Sequence, residues 1–248
     1  MCLFATAYRK IAGCPVLVLI NRDEFRTRPT ALPQLICDHD TRWFGGTDLQ
    51  AGGTWLGVNQ FGLVVGVTNR KKADAPKDPR SRGWLCRDLL QCRTAPEAHT
   101  EAQQMLKRYA FDGFNLLLVS ADAAIALEAG DEYETTTLSA GVHCIGNGSL
   151  NDSSERRLDW TRREIERVVA GPADVGQLVL QAQQATALRC DDEWDSICRL
   201  GAHWGTVSST IIALPDAVDQ ARYYYAPGPP HNTPFQDYSA TVQSLLQR

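Results

Sequence analysis

The chain begins with two short apolar runs separated by a turn, and this pattern predicts a β-hairpin. The runs are Leu3–Tyr8 and Pro15–Asn21, and between them Gly13 can adopt the positive φ that a tight turn requires. With Gly13 as the second central residue of the turn, residues facing each other across the hairpin have numbers that sum to 25. This register predicts that Cys2 lies opposite Asp23 on one face of the hairpin. A thiol and a carboxylate would therefore meet at its open end.

Strand and helix patterns alternate along the rest of the chain, which is typical of the α+β class. Short apolar runs predict strands at Trp55–Asn59, Phe61–Thr68, Phe114–Val119, Ala123–Glu128, Glu134–Leu138, Gly141–Gly146, Val207–Leu214 and Ala221–Tyr225, before a Pro-rich segment and a short tail. Helical patterns predict helices at Ser81–Gln91 and Pro96–Tyr109, from an N-cap at Asp152 to about Val169, and at Ala173–Ala187. Because no linker-like segment or repeat divides the 248 residues, we expect one domain over 1–248, with antiparallel sheets covered by helices.

Composition and charge exclude several classes of protein. The net charge of −4, from 25 basic and 29 acidic side chains, gives no basic face for nucleic acid. No apolar run approaches the roughly 18–20 residues needed to span a bilayer. The eight cysteines include no Cys-x-x-Cys pair and the first residues show no secretory pattern, so we expect reduced thiols in a cytoplasmic protein. The five histidines show no metal-ligand spacing, and we expect no metal site.

Cys2 has the chemistry of a nucleophile if the initiator methionine is removed. Its α-amino group, with an ordinary pKa of about 7.7–8.0, could then take the proton of its own thiol, whose ordinary pKa is about 8.5. The alternative is that Cys2 is a small apolar residue that starts an edge strand. The predicted hairpin favours the first interpretation, because Asp23 could orient either the thiol or the terminal amine.

Charged residues are unusual at the end of a run as apolar as Val16–Ile20. Strict alternation puts Arg22 on the face opposite to Cys2, so Arg22 would reach the thiol only where a bulge or strand end follows Asn21. The alternative for Arg22 and Asp23 is an internal ion pair at the end of a strand.

A set of short motifs extends over most of the chain. They are Met1-Cys2, Asn21-Arg22-Asp23-Glu24-Phe25, Arg28-Pro29, Gly52-Gly53-Thr54-Trp55-Leu56-Gly57, Thr68-Asn69, Ser81-Arg82-Gly83, Gly113-Phe114-Asn115-Leu116, Gly146-Asn147 and Ser208-Ser209-Thr210. In this order they resemble the NRDE family, which is named for its tetrapeptide and includes the transport-and-Golgi-organisation proteins. The resemblance implies the four-layer αββα sandwich of the N-terminal-nucleophile hydrolases, whose cysteine members cleave linear amide C–N bonds.

The resemblance also implies roles for individual residues. Cys2 would be the nucleophile, Asp23 its orienting carboxylate, and Asn147 with Asn69 the donors to an oxyanion, since a tetrahedral intermediate needs fixed N–H groups. Both asparagines have the alternative of being turn residues that tolerate left-handed φ. Arg22 is a further candidate catalytic residue. Four more residues are candidates for binding substrate: Asn21, Glu24, Trp55 and Arg82.

One position departs from the family pattern. Family members usually have an arginine where this chain has Val207, so a charge that could acidify the thiol or bind an anion is missing there; Arg22, Arg82 or Arg157 could replace it. The resemblance implies an amidohydrolase that acts through a Cys2 thioester and requires no cofactor. The resemblance implies one alternative, a non-catalytic protein that binds haem or acyl-CoA. A Cys–His dyad with His143 or His203 is a further alternative.

Overall fold

The computed structural model describes residues 2–74, 76–171, 174–191, 193 and 195–247. In chain order its elements are β1 (Leu3–Ile11), β2 (Cys14–Phe25), β3 (Thr30–Asp38), β4 (Thr41–Asp48), β5 (Leu56–Asn59), β6 (Val64–Asn69), α1 (Arg82–Leu89), α2 (Ala95–Arg108), β7 (Phe114–Val119), β8 (Ala124–Ala129), β9 (Tyr133–Thr137), β10 (Gly141–Ile145), α3 (Arg156–Val169), α4 (Val175–Thr186), β11 (Cys190–Asp191), β12 (Cys198–Arg199), β13 (Trp204–Leu214), a 3₁₀ turn (Val218–Gln220), β14 (Arg222–Ala226), β15 (Gln236–Asp237) and α5 (Ser239–Leu246). No helix of the described residues is both long and apolar enough to cross a bilayer.

The chain forms two compact units. The first contains the residues up to Thr27 and those from Ala140 to Gln243, and the second contains Arg28–Ser139 with the residues from Ser244 onward. In the described residues, the first unit has a six-stranded sheet of order β10-β1-β2-β13-β14-β15, and the second has a seven-stranded sheet of order β3-β4-β5-β6-β7-β8-β9. Neighbouring strands in both sheets are antiparallel, as the sequence predicts.

The sheet of the first unit is covered on one face by α3 and α4. Helix α3 buries an apolar stripe at helical spacing, which includes Leu158, Ile165 and Val168. This stripe packs with alternate residues of the first hairpin, including Leu3 and Leu19, in one apolar cluster. Side chains alternate between the two faces of a strand, so Leu3 faces the helices and Cys2 faces away from them.

In the second unit, α1 and α2 pack on the sheet. Their buried residues, such as Leu85 and Ala98, form one cluster with Val65 and Phe114 of the strands. Helix α2 begins where the sequence predicts it, because the Thr94 side chain accepts a hydrogen bond from the Glu97 amide and a proline occupies the first turn.

The first hairpin has the predicted turn but a different register along most of its length. Next to the turn, Ile11 pairs with Cys14, whose numbers sum to 25 as expected. A bulge of two residues against one follows, with Arg9 in the left-handed region at φ 48°. Beyond it the paired numbers sum to 24, so Leu3 instead of Cys2 begins the ladder, opposite Asn21. The expectation that Cys2 lies opposite Asp23 is therefore wrong.

Other boundaries also differ from the sequence-based expectations. The N-cap of α3 is Glu155, and Asp152 instead accepts hydrogen bonds from Ser154 in the preceding turn. The expected start of the next helix, Ala173, lies outside the described residues, and α4 is described from Val175. The expected C-terminal tail contains α5. No strands were expected at β3 and β4, which are present.

Candidate active site

Cys2 lies at the open end of β1, between β10 and β2. The ladder to β10 is described as far as Phe4 opposite Ile145, and the ladder to β2 as far as Leu3 opposite Asn21. Continued by one residue, the β2 register puts Arg22 beside Cys2, and continued by two residues the β10 register predicts Asn147 on the other side. Paired residues of an antiparallel ladder share a face, so we expect Cys2 and Arg22 on the face of the sheet opposite to α3 and α4.

The same row continues into β13. Ser208 pairs with Arg22, and Thr206 pairs with Asp23, which leaves Val207 as the extra residue of a second bulge. Burial raises the pKa of Tyr225 in the neighbouring strand β14, while the Ser208 hydroxyl and the Arg22 guanidinium lower it, so these groups lie close together. The Cys2 thiol, the Arg22 guanidinium and the hydroxyls of Ser208 and Tyr225 are thus close together at this end of the sheet.

The Cys2 thiol is buried, with 9% of the residue exposed. Burial raises the pKa of this thiol, and the negative charge of Asp23 raises it further. The Arg22 guanidinium and a hydrogen bond from the Asp23 backbone N–H lower it, but the net effect is a raised pKa. The thiol is therefore protonated at neutral pH in this environment and needs a base to become a nucleophile.

The Asp23 carboxylate lies on the other face of the sheet, among cations. Its Oδ1 accepts a hydrogen bond of 2.7 Å from the Thr206 hydroxyl, and its Oδ2 is 2.7 Å from Nη2 of Arg157. A second guanidinium, that of Arg199, lies 3.8 Å from Oδ2. The expectation that the Asp23 carboxylate faces Cys2 is therefore wrong: the backbone N–H of Asp23 contacts the thiol, and the carboxylate points to the other face of the sheet.

Arg199 and Thr206 are residues of this network that sequence reasoning did not identify. Burial lowers the pKa of Arg199 to about 10, and Arg157 lowers it as well, while Asp23 and Glu155 oppose the shift. The sequence signal that could have identified Arg199 is its position directly after the apolar residues Ile197 and Cys198, where a charged side chain is unusual. Arg157, considered as a replacement for the missing arginine at Val207, instead binds Asp23.

Asn147 lies in the loop after β10 and is half-buried between two glycines. A Cβ atom on Gly146 or Gly148 would lie 3.3 Å from a carboxylate oxygen of Glu155, so a side chain there would crowd that carboxylate. Burial raises the pKa of Glu155, against the effect of Arg157 and Arg199. The loop is thereby packed closely against the start of α3.

Asn21 and Glu24 are the two candidate substrate-binding residues of the first unit. Asn21 is buried on the helix-facing side, and its Nδ2 donates hydrogen bonds of 3.0 Å to the carbonyl oxygens of Thr186 and Ile197. Glu24 accepts a hydrogen bond of 2.8 Å from the Phe25 amide. Both amide protons of Asn21 are thus used within the chain, and the substrate roles of the two residues stay predictions.

Three other candidates belong to the second unit. Asn69 is exposed at the end of β6, and Arg82 donates a hydrogen bond of 2.8 Å to the Gly113 carbonyl. Trp55 is buried, and its indole lies 2.5 Å from the position of a Cβ atom on Gly46, so that only glycine fits there. Their catalytic or substrate-binding roles stay predictions.

The first unit contains an open cavity of about 600 Å³ beside β13. Val207, the residue in the position of the usual arginine, lines it together with Arg26 and His231. Near it, one sulfur atom each from Cys190 and Cys198 and a ring nitrogen of His231 lie within 4.8 Å of one another. Sequence spacing indicated no metal site, yet these three residues could hold a metal ion.

Solved structures with the same architecture are N-terminal-nucleophile hydrolases. Penicillin V acylase from Agrobacterium tumefaciens matches with a TM-score of 0.59 and 11% identity, over 96% of this chain and 86% of that chain. The Caenorhabditis elegans N-acylethanolamine-hydrolyzing acid amidase ortholog matches with a TM-score of 0.55 and 15% identity, over 88% of this chain and 96% of that chain. These likenesses confirm the expected α+β fold of the N-terminal-nucleophile hydrolase type.

Related sequences lead to the same group of proteins that the motifs indicate. The human Transport and Golgi organization protein 2 homolog is 26% identical in an alignment of length 172 that covers 64% of this chain and 61% of the human protein. The Bos taurus homolog is 25% identical in an alignment of length 237 that covers 80% of this chain and 82% of the bovine protein. The family model Transport and Golgi organisation 2 matches residues 1–224, so the chain belongs to this family.

Proposed function

We propose that this protein is a cysteine amidohydrolase that cleaves a linear amide C–N bond of a small molecule through a thioester on Cys2. The observation that carries the proposal is the buried Cys2 thiol at the open end of the first hairpin, with the Arg22 guanidinium and the Asp23 backbone N–H close to it. The β1–β10 register, continued by two residues, would add Asn147. The N-terminal-nucleophile hydrolase fold supports it, because removal of Met1 would make Cys2, directly before β1, the first residue of the chain.

The proposed reaction begins with proton transfer from the Cys2 thiol to the α-amine of the same residue. The sulfur attacks the amide carbonyl carbon, and the C=O electrons move onto the oxygen. Collapse of this tetrahedral intermediate breaks the C–N bond, and the leaving amine takes the proton. Water then hydrolyses the thioester, which releases the carboxylic acid and restores the thiol.

Two neighbours of Cys2 have distinct parts in this proposal. The Asn147 amide would donate to the oxyanion, which typically contributes roughly 10²–10³ in rate. The Arg22 guanidinium lowers the thiol pKa and so replaces the charge that is missing at Val207. Arg157 is engaged with Asp23 and holds the strand that carries the Asp23 N–H at the sulfur.

The test has two stages. Intact mass spectrometry of the purified protein should show loss of Met1. The processed protein should then hydrolyse members of a panel of N-acyl amides that includes penicillin V and N-acylethanolamines, and Cys2→Ala should abolish turnover while Cys37→Ala, at an exposed thiol, leaves it unchanged. Retained Met1, or equal rates for Cys2→Ala and the unmodified protein, would contradict the mechanism.

A second candidate function is non-catalytic binding of haem or a long-chain acyl-CoA. The raised pKa of the buried Cys2 thiol favours it, because a protonated thiol is a poor nucleophile. Titration of the protein with haemin or with an acyl-CoA should then give a saturable change in absorption or fluorescence. The Cys2→Ala variant should bind the acyl-CoA like the unmodified protein. The absence of saturation with both ligands would exclude this candidate.

Both candidates fit a protein that works in the cytoplasm with its thiols reduced. All described cysteines are free, although Cys190 and Cys198 are neighbours. Fractionation of cells followed by detection of the chain should find it in the cytoplasmic fraction.

A further inference from the structure

We propose that Cys190, Cys198 and His231 form a binding site for a divalent zinc ion, separate from the Cys2 site. The two cysteines belong to the parallel pair β11 and β12, where Cys190 lies directly opposite Cys198. Because paired residues of a ladder project to the same side, their sulfur atoms are neighbours. The third ligand comes from the loop after β14, more than thirty positions along the chain, which explains why sequence spacing did not reveal the site.

The distances suit one small ion. Nδ1 of His231 lies 3.9 Å from Sγ of Cys198, and the three ligand atoms all lie within 4.8 Å of one another. In a tetrahedral zinc site, bonds of about 2.3 Å to sulfur and about 2.0–2.1 Å to nitrogen place ligand atoms about 3.5–3.8 Å apart. A shift of less than about 1 Å in the side chains would therefore bring all three to bonding distance.

The backbone of His231 also contacts the sulfur pair, because its N–H is a hydrogen-bond donor to both Cys190 and Cys198. Binding would release two thiol protons to solvent and form two zinc–sulfur bonds, so a neutral pair of thiols and a divalent ion give a neutral dithiolate complex. Two thiolates and an imidazole form a soft ligand set, which favours zinc over magnesium or calcium.

The loop that carries His231 has an ordered conformation. The amides of Asn232 and Thr233 both donate to the Pro229 carbonyl, at 3.3 and 3.0 Å. The Thr233 hydroxyl lies 2.4 Å from the position of a Cβ atom on Gly228, so the turn closes tightly around that glycine. The histidine is thereby held near the sulfur pair before any metal binds.

A fourth position would be open. His231 is exposed and lines the cavity of about 600 Å³, whose other walls include Arg26 and Val207. Water from this cavity could complete a tetrahedron, as it does in zinc sites with three protein ligands. The alternative for the neighbouring thiols of Cys190 and Cys198 is a disulfide. A disulfide would not explain why the His231 imidazole lies 3.9 Å from the Cys198 sulfur.

The site also connects to the network behind Cys2. Cys198 is followed directly by Arg199, whose guanidinium lies 3.8 Å from the Asp23 carboxylate. The Arg199 amide donates a hydrogen bond of 2.9 Å to the Thr206 hydroxyl, which in turn donates to Asp23. An ion on Cys198 would therefore fix the short strand that presents these groups to Asp23.

The experiment uses the full chain, reduced and freed of metal with a chelator. Titration with zinc chloride should give one bound ion per chain by calorimetry and by elemental analysis after desalting. Cobalt(II) chloride should give a thiolate-to-cobalt charge-transfer absorption in the near ultraviolet. His231→Ala, at an exposed position that tolerates truncation, and Cys190→Ser should weaken zinc binding by more than the roughly 10–100-fold that loss of an outer-shell partner costs. The controls His203→Ala and Cys37→Ser should bind like the unmodified protein.

Three outcomes would overturn the proposal. The first is less than one tenth of a bound zinc ion per chain in the reduced protein. The second is undiminished affinity in both His231→Ala and Cys190→Ser. The third is an intact protein mass that is two hydrogens lower than calculated and returns to the calculated value with reductant, while the reduced protein takes up no zinc. This result would identify Cys190 and Cys198 as a redox-active disulfide. None of these measurements depends on amidohydrolase activity, so the two proposals stand or fall separately.

Discussion

Replacement of Arg157 by methionine tests how strongly the Asp23 carboxylate depends on its buried cation. The two side chains are 3% and 0% exposed and their charged atoms are 2.7 Å apart. Removing one member of a buried pair typically costs about 3–5 kcal/mol, because the other charge stays buried without compensation. Arg199 at 3.8 Å retains part of the attraction, and Asn21 still donates to the Ile197 carbonyl that Arg157 also binds. We therefore expect a loss of about 3 kcal/mol in the free energy of unfolding.

The assay is urea denaturation at pH 7, followed by both circular dichroism and tryptophan fluorescence. Arg156→Met is the matched control, because the neighbouring Arg156 side chain is 69% exposed and lies 3.4 Å from Asp195. An exposed pair of this kind contributes about 0–1 kcal/mol. In the double variant Arg157→Met/Asp23→Asn, the loss should be smaller than the sum of the two single losses by about 2 kcal/mol.

Equal stability of Arg157→Met and Arg156→Met, or additive losses in the double variant, would refute the assignment of Arg157 as the partner that neutralises Asp23.

Three further predictions concern the second unit and the loop beside Cys2. Burial alone would raise the pKa of Asp48, but hydrogen bonds from Arg28 and from the Gln50 and Ala51 amides hold this pKa below its ordinary value. Asp48→Asn should therefore lower the thermal unfolding midpoint at pH 7. The difference between the two proteins should disappear as the pH falls through the pKa of Asp48 in the folded protein. Gly53→Ala should lower the free energy of unfolding, measured by urea titration, by about 1–3 kcal/mol, because a Cβ atom there would lie 2.1 Å from the Gly83 backbone. The control Ala51→Ser should leave the free energy of unfolding nearly unchanged. Once turnover has been found, Asn147→Ala should lower kcat by roughly 10²–10³ with a smaller change in KM; an unchanged kcat would remove Asn147 from the oxyanion site.

The sequence predicts most of the sheet strands and helices because their apolar periodicity is strong. Strands β3 and β4 escaped prediction for a physical reason: β3 is an edge strand with exposed positions and an internal proline, so it lacks a clear two-residue alternation. The sequence also misplaces the N-cap of α3. Asp152 has the pattern of a capping residue, but its carboxylate accepts a hydrogen bond from Ser154 in the turn that precedes the true N-cap, Glu155.

For the candidate site, local patterns identified Cys2 and its neighbours but not the atoms that connect them. The register of the first hairpin depends on the bulge at Arg9, and an arginine in the left-handed region has no distinctive sequence signal. Arg199, Thr206 and His231 reach their partners through tertiary structure, so no spacing along the chain could have shown the network around Asp23 or the Cys190–Cys198–His231 cluster.

The bulge at Arg9 has a consequence for comparing this chain with its relatives. It adds one residue to β1 far from the open end of the hairpin, and that single residue decides whether a cation or an anion stands across from the thiol. A relative with a hairpin of the same length but without the bulge would place the aspartate, instead of the arginine, across from the thiol while keeping the same tetrapeptide. Family members with identical motifs could therefore differ in thiol reactivity through this bulge alone, and the hairpin register should be compared before activity is transferred between them.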